Sequence, residues 1–501
     1  MDRRRFLGWL SSSGLTFAAA GVFAGSRPAA AAGLDVIVYT GATLIDGTGV
    51  RPQPNSTIVT VNGRIAAVGN HRVAVPAGVR VVELRAKYVI PGLIDMHAHT
   101  VDLEKIFLPL YVANGVTSIR EMWGKPLHHA MRRRIDAGEL LGPRMVVGSK
   151  LVDGPTWEAG HDTVVVTTAA QARDAVRQAK DEGADFVKVM SHLNDETLTA
   201  VAQEATELGL SFSGHLPDEV TTERGSQLGM RTMEHLFGLS IDVSSRRDEF
   251  RRRIAELPID PANPLPRWFF VRELEREAHK SYDPRRAGAL FATLKRRGTV
   301  LDATLDVGKI FCLPPERYVG TPRTKYLPAW MKQNWDAMIG VGTPWSTEQI
   351  AAGQAAWDAS HRLAAEAHRA GVTITAGTDC GLPPYGFPGF SLHDELSNLV
   401  NSGLPPIAAI QAATRNAARA AGIHRVAGTI EVGKSADLLV LDADPLADIR
   451  NTERIHAVVA KGRLITSAER ARMLAEVEAE ARTTPPPAAE ARSCCGLVGP
   501  A

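Results

Sequence analysis

Pro91-Gly92-Leu93-Ile94-Asp95-Met96-His97-Ala98-His99 (PGLIDMHAH) decides how the chain is read. It is a short apolar run that finishes on two histidines. Period-two alternation along a strand puts both imidazoles on one side, which is the spacing two ligands of one ion need. From Pro91 to about Gly422, short apolar strands alternate with helical stretches, the rhythm of a βα-repeating parallel architecture. The strands are LIDMHAH, VTSIREM, RMVVGSK, FVKVM, SFSGHLP, RTMEHL, VLDATLD and TITAGTDC. Eight of them predict an α/β fold with a closed (β/α)8 TIM-type barrel, whose active site lies at the C-terminal strand ends. AAQARDAVRQAKDEG before FVKVM and AAWDASHRLAAEAHRAG before VTITAGTDC read as connecting helices. Residues 240–298, and residues 307–352 with Trp330, Trp335 and Trp345, are longer than a connecting helix requires. Such excursions at a barrel mouth shape substrate pockets.

Outside the barrel the sequence is β-rich: VIVYT, ATLIDGTG, STIVTVNGRIAAVG and VRVVELRAKYVI precede it, and GTIEVGKSADLLVLDADPL and IHAVVAKGRLI follow. We expect residues 33–90 and 425–470 to pair into one β-sandwich around a barrel spanning 91–424. Residues 471–501 read as a helix and then a flexible end containing Pro485-Pro486-Pro487 and the adjacent Cys494-Cys495. With Cys312 and Cys380 these make four cysteines, too few and too unevenly placed for a disulfide framework, so stability must come from the core.

Residues 1–32 read as an export signal: Arg3-Arg4-Arg5-Phe6-Leu7, an apolar stretch from Leu15 to Ala24, then Ala30-Ala31-Ala32 for cleavage. The paired arginines before Phe-Leu resemble a bacterial twin-arginine signal, which implies an exported, periplasmic or secreted protein. The apolar stretch is shorter than the ~20 residues of a span, so no stable membrane anchor is expected. In the 501-residue chain, 57 basic residues meet 55 acidic ones for a net charge of +2, and Arg3, Arg4, Arg5 and Arg27 against Asp2 put the signal at +3, so the remaining chain is near −1. A near-neutral body lacks the basic footprint of a nucleic-acid binder, which leaves a small-molecule or short-peptide substrate. A homo-oligomer would suit such a barrel, but nothing in the sequence specifies a number.

Strand ends supply the candidate chemistry: His97 and His99 from the first, Lys188 from the fourth, His215 from the fifth, His235 from the sixth and Asp379 from the eighth. Each has a blander reading on its own, since a His caps helices or sits satisfied in a core, and Asp is a common N-cap. Together they occupy the same end of successive strands, where a barrel keeps its site. Lys188 has two readings. A cationic ammonium would repel a divalent metal, so the residue either loses its proton and takes up carbon dioxide as a carbamate or points out to solvent. Its neighbours Phe186, Val187, Val189 and Met190 are apolar and favour the first.

The motifs PGLIDMHAH, FVKVM, SGHLP, MEHL and AGTDC, followed by LHDELSNLV, AATRNAARAAG and GTIEVGKSADLLVLDADPL, resemble those of the amidohydrolase superfamily over roughly residues 35–465. The similar branch is that of imidazolonepropionase-like and prolidase-like hydrolases with a carboxylated lysine. The resemblance implies two divalent metal ions, Zn2+ by preference. It assigns His97 and His99 to one and His215 and His235 to the other, bridges them by the Lys188 carbamate, and completes the first site with Asp379. Gly160-His161 matches a Gly-His of the branch and implies a pocket role for His161, although the surrounding WEAGHD departs from the branch's glycine-rich stretch.

Two such cations lower the pKa of a shared water from about 15.7 toward ~7 and polarise a scissile carbonyl. Asp379 is the proton carrier, general base in the attack and then acid to the leaving nitrogen. His161 and His192 are candidates to hold an oxyanion or a substrate carboxylate. The expected activity is cleavage of an amide bond in a dipeptide, N-acyl amino acid or related conjugate through a metal-bridging hydroxide. Alternatives on the same core are hydrolysis of a cyclic amide, ester or phosphoester, or a non-catalytic metal-binding relative. Phe311, Tyr318, Trp330 and Trp345 would either receive an apolar acyl or aryl half or belong to the core.

Overall fold

The computed structural model describes residues 34–70, 75, 78–156, 162–260 and 263–486. The export signal, His161 and Cys494-Cys495 lie outside the described residues.

Strands β1 (Val36–Leu44), β2 (Gln53–Val61), β3 (Arg64–Gly69), β4 (Arg80–Glu83) and β5 (Tyr88–Pro91) precede the barrel. The barrel follows with β6 (Leu93–Ala98), β7 (Val116–Glu121), β8 (Arg144–Asp153), β10 (Phe186–Val189), β11 (Ser211–Gly214), β12 (Thr232–Glu234), β13 (Val300–Asp302) and β14 (Thr373–Thr375), while the short β9 (Thr163–Val165) pairs with β8. Strands β15 (Leu438–Leu441), β16 (Ile455–Ala460) and β17 (Arg463–Thr466) come after it.

The two ends of the chain form one sheet in the order β17-β16-β15-β5-β1-β2-β3, with β4 alongside β1. The seam is the antiparallel β5–β15 pair, Leu438 opposite Pro91 through Leu441 opposite Tyr88. Alternation along β1 sends Ile37, Tyr39 and Leu44 into one apolar cluster and Val38 into another on the opposite face. Buried apolar residues on both faces are what the repeated β-branched runs of the flanks require.

All eight barrel strands lie where their apolar runs predict, and neighbours pair in parallel from β6 round to β14. The amide of Met96 on β6 donates to Ala376 just past β14 (3.1 Å), that of Asp379 to His97 (2.7 Å) and that of His99 to Cys380 (3.0 Å), closing the ring. The helices begin at their sequence signals. Thr168 caps Ala169–Asp181 with Gln171 answering, and Ser346 with Gln349 does the same for Thr347–Arg369. The first long excursion folds as helices Arg247–Glu256, Leu265–Ala278 and Pro284–Arg297; the second contains Leu305–Cys312 and Ala329–Met338. A last helix, Ser467–Thr483, covers the helix Glu104–Ala113. Among the described residues no helix is long and apolar enough to cross a membrane.

Candidate metal centre

The strand ends bring four histidines around one carboxylate. Nε2 of His97 and of His99 lie 3.2 Å and 2.9 Å from Oδ1 of Asp379, and Nε2 of His235 lies 4.0 Å from its Oδ2. The ring of His235 is centred 4.6 Å from that of His97 and 4.9 Å from that of His215. Main-chain bonds across the barrel fix these positions: the His215 amide donates to Val189 and the His235 amide to Asp302, both at 3.0 Å. Three site residues pay for the arrangement with left-handed backbone, φ 62° at His235, 43° at Thr304 and 57° at Asp379. Strain of this kind persists where the surroundings over-determine it and clusters at functional sites.

The other ring nitrogens are held from behind. Nδ1 of His97 pairs with Glu234 (3.0 Å), Nδ1 of His215 with the Ser191 hydroxyl (2.9 Å) and Nδ1 of His235 with the Thr304 hydroxyl (2.8 Å), while Nδ1 of His99 lies 3.8 Å from Glu121. Such partners orient the imidazoles and leave Nε2 for a ligand. Burial lowers the pKa of His99, His215 and His235, the last to about 3, so the rings sit there as neutral donors. Burial alone would raise Asp379, yet His97, His235 and His99 hold its carboxyl well below the usual range. Lys188 is 1% exposed on β10, which excludes the reading in which it points to solvent. Its charge depresses His215 and His235, placing it among the histidines.

Four imidazoles gathered beside an ionised carboxylate, those of His99, His215 and His235 kept neutral by burial, with an otherwise costly lysine among them, make a donor set that fits divalent cations. His97, His99 and Asp379 present ligand atoms within 4.8 Å of one another. His97, Glu234 and Asp302 meet the same distance, but that group already holds a cation. The Arg120 guanidinium donates to Glu234 at 2.9 Å and lies 3.7 Å from Asp302.

Glu234, Arg120, Thr304, Ser191 and Glu121 are the residues that the sequence reading did not pick out. The available signal was a charged residue inside a strand buried on both faces: Arg120 in VTSIRE and Glu234 in TME must each find a partner there. His192 follows β10 but packs beside Asp153, its Nδ1 3.6 Å from the carboxylate. Burial, and then Arg267, bring its pKa to about 4.

A cavity of about 1010 Å³ opens from His235 into the two excursions. Leu236, Phe237, Trp268, Phe269, Arg272 and Phe311 line it near the histidines, and Trp345 lines it farther along the chain. Phe311 and Trp345 thus face the cavity. Tyr318 packs against Tyr385, and Trp330 rests on the main core.

The Amidohydrolase family model matches residues 359–465, the segment from within the helix Thr347–Arg369, which leads into β14, through β17. No curated protein matches the chain. Solved structures share its fold. The bottromycin amidohydrolase AH superposes with a TM-score of 0.72 at 21% identity, covering 95% of this chain and 96% of its own. A Xaa-Pro dipeptidase with methionine bound in its active site gives 0.63 at 20%, covering 86% and 100%, and A. niger ochratoxinase gives 0.61 at 20%, covering 87% and 96%.

Proposed function

We propose that this chain is a member of the amidohydrolase superfamily, an exported, dinuclear zinc hydrolase that cleaves the carbon–nitrogen bond of a small amide. The substrates in view are dipeptides, N-acyl amino acids and related conjugates. The observation that carries the reading is the convergence of three imidazole Nε2 atoms on the Asp379 carboxylate, with Lys188 buried beside them. In this reading His97, His99 and Asp379 would hold one cation and His215 and His235 the other, and Lys188, as a carbamate, would supply the remaining negative ligand. The cations would lower the pKa of water at the site and polarise the amide carbonyl.

Asp379 would orient the attacking water, take its proton and return it to the leaving nitrogen, so that the amine departs neutral. Glu234, Ser191 and Thr304 keep the histidine rings turned toward the centre while this happens. Phe311 and Trp345 offer apolar surface to the half of the substrate that does not react. The structural relatives include a Xaa-Pro dipeptidase and an amidohydrolase, which supports carbon–nitrogen over phosphorus–oxygen chemistry.

Protein purified without added metal should contain about two zinc ions per chain and hydrolyse members of a panel of dipeptides and N-acyl amino acids. Asp379→Asn should lower kcat by a factor of about 10²–10⁴, the usual worth of a positioned acid–base group. Unchanged turnover in that variant would remove Asp379 from the reaction. One zinc or none after zinc and bicarbonate are supplied would remove the bridging role of Lys188.

A further inference from the structure

Arg272 is an anomaly in the cavity wall. It lies on the helix Leu265–Ala278, whose run RWFFVRELEREA looks like a solvated charged face, yet it is only 9% exposed. Its guanidinium carbon sits 3.9 Å from the ring centroid of Phe237 and 5.5 Å from that of Trp268. The Phe237 ring is in turn centred 4.8 Å from His235 and 5.2 Å from His215. One aromatic ring therefore separates this cation from two of the proposed metal ligands.

The guanidinium is incompletely engaged. Nη2 donates to Asp218, and Nη1 lies 3.5 Å from Glu275, but among the described residues Nε and Nη1 find no hydrogen-bond acceptor. Buried N–H groups without acceptors destabilise a fold, and an arginine retained in that state inside a cavity is placed for an acceptor that arrives from outside. The other acids along the wall have their own partners: Glu273 pairs with Arg276, and Glu277 with Arg246 and Arg253. Burial, opposed by Arg272 itself, raises the pKa of both Asp218 and Glu275, which weakens them as competing counter-ions.

We propose that Arg272 receives a carboxylate of the substrate, with Phe237, Trp268 and Phe311 receiving an aromatic or large apolar group beside it. The inference rests on reading the cavity as the hydrolase's substrate pocket, and it assigns to one residue of the wall the carboxylate that dipeptides and N-acyl amino acids carry beside the scissile bond. An N-acyl aromatic amino acid has that arrangement, with its carboxylate three bonds from the carbonyl carbon. Arginine suits the task because its planar fork meets both carboxylate oxygens, which a lysine does not.

The test is calorimetric binding of 3-phenylpropionate and of its neutral isostere 3-phenylpropanamide to the metal-loaded protein, without turnover. The wild type should bind the carboxylate ~10- to 100-fold more tightly, the worth of a charge-assisted hydrogen-bond pair. Arg272→Gln should bring the two ligands to within about threefold of each other. Arg272→Lys retains a charge opposite Asp218 and is the second variant should Gln fail to fold; without the planar fork it should also lose most of the preference.

Equal binding of the two ligands by the wild type would overturn the proposal. So would a preference that survives in the Lys and Gln variants, because the metals would then be the carboxylate receptor. Hydrolysis failing while the Arg272-dependent preference stands would refute the proposed activity alone. Hydrolysis of acidic and neutral amides at equal rates would refute the carboxylate role alone.

Discussion

Glu395 should make the stability of the barrel fall as pH rises through the neutral range. It lies on the helix Phe390–Asn401 and is fully buried. One carboxyl oxygen accepts the Asp306 amide at 2.7 Å, and the other makes no hydrogen bond. Burial, opposed by the Asp306 and Leu305 amides, pushes its pKa from 4.5 to about 8. The folded protein thus keeps a proton that the unfolded chain releases in that interval. Its contribution is undiminished below pH 4.5, falls as pH rises and is fully lost above pH 8. At about 1.4 kcal/mol per tenfold change in proton affinity, the loss between pH 5 and pH 9 comes to about 4 kcal/mol.

Glu395→Gln keeps an acceptor for the Asp306 amide and has no proton to lose, so its stability should lack this component. Urea unfolding of the two proteins at pH 5 and pH 9, at constant ionic strength, measures the difference. Asp95, whose pKa burial raises to about 7, titrates in both proteins and acts on Glu395 through its charge, so the difference reads Glu395 together with that coupling. The variant should gain about 4 kcal/mol on the wild type across that range. Stability curves that stay parallel within ~1 kcal/mol would refute the argument.

Thr304→Val removes the hydroxyl behind His235 at nearly constant volume, and it should weaken zinc retention by about 10- to 100-fold in a chelator competition while leaving the fold intact. Unchanged zinc release would mean that Thr304 does not orient the ring. Gly377→Ala would set a Cβ 2.3 Å from Oδ2 of Asp302 and 2.7 Å from the His97 Cβ. We expect a loss of about 1–3 kcal/mol together with bound metal, read by thermal melting and metal analysis. Gly288→Ala meets nothing within 4 Å in the middle of a helix and should be neutral or stabilising by up to ~1 kcal/mol.

The barrel was legible because parallel strands buried on both faces show up as uninterrupted apolar runs. Five of the eight runs carry, within them or at their ends, the polar residues that the structure brings together around Asp379. His215 and His235 stand one residue past Gly214 and Glu234, where their strands stop, and Asp379 follows β14 by four residues. The two-ended sheet was legible for a related reason, since β5 and β15 carry matching apolar runs that neither end could bury alone. Pairing between strands distant in sequence was not legible. Arg120, Glu234 and Asp302 come from three strands, and only the closed ring shows that the arginine serves both acids.

The mouth was least legible, and the reason is physical. Charge alternation along a helix signals solvent only when nothing of opposite charge waits on the other side. The helix Leu265–Ala278 presents Arg267, Arg272 and Glu275 at 9% exposure or less. Each of these meets a partner that arrives from elsewhere: Glu219 pairs with Arg267 and Asp218 with Arg272, while the Gly238 amide donates to Glu275. Glu219 and Asp218 belong to the turn after β11, and Gly238 to the turn after β12, so the excursion is anchored by charges to the two loops that follow His215 and His235. A surface helix would lose little if these arginines became lysines, because exposed ion pairs contribute ~0–1 kcal/mol. Here the geometry of the fork matters, because buried donors left without acceptors cost more than the pairing returns. The excursion's charge pattern therefore describes the wall of a pocket and how that wall is fastened to the strand ends carrying the histidines.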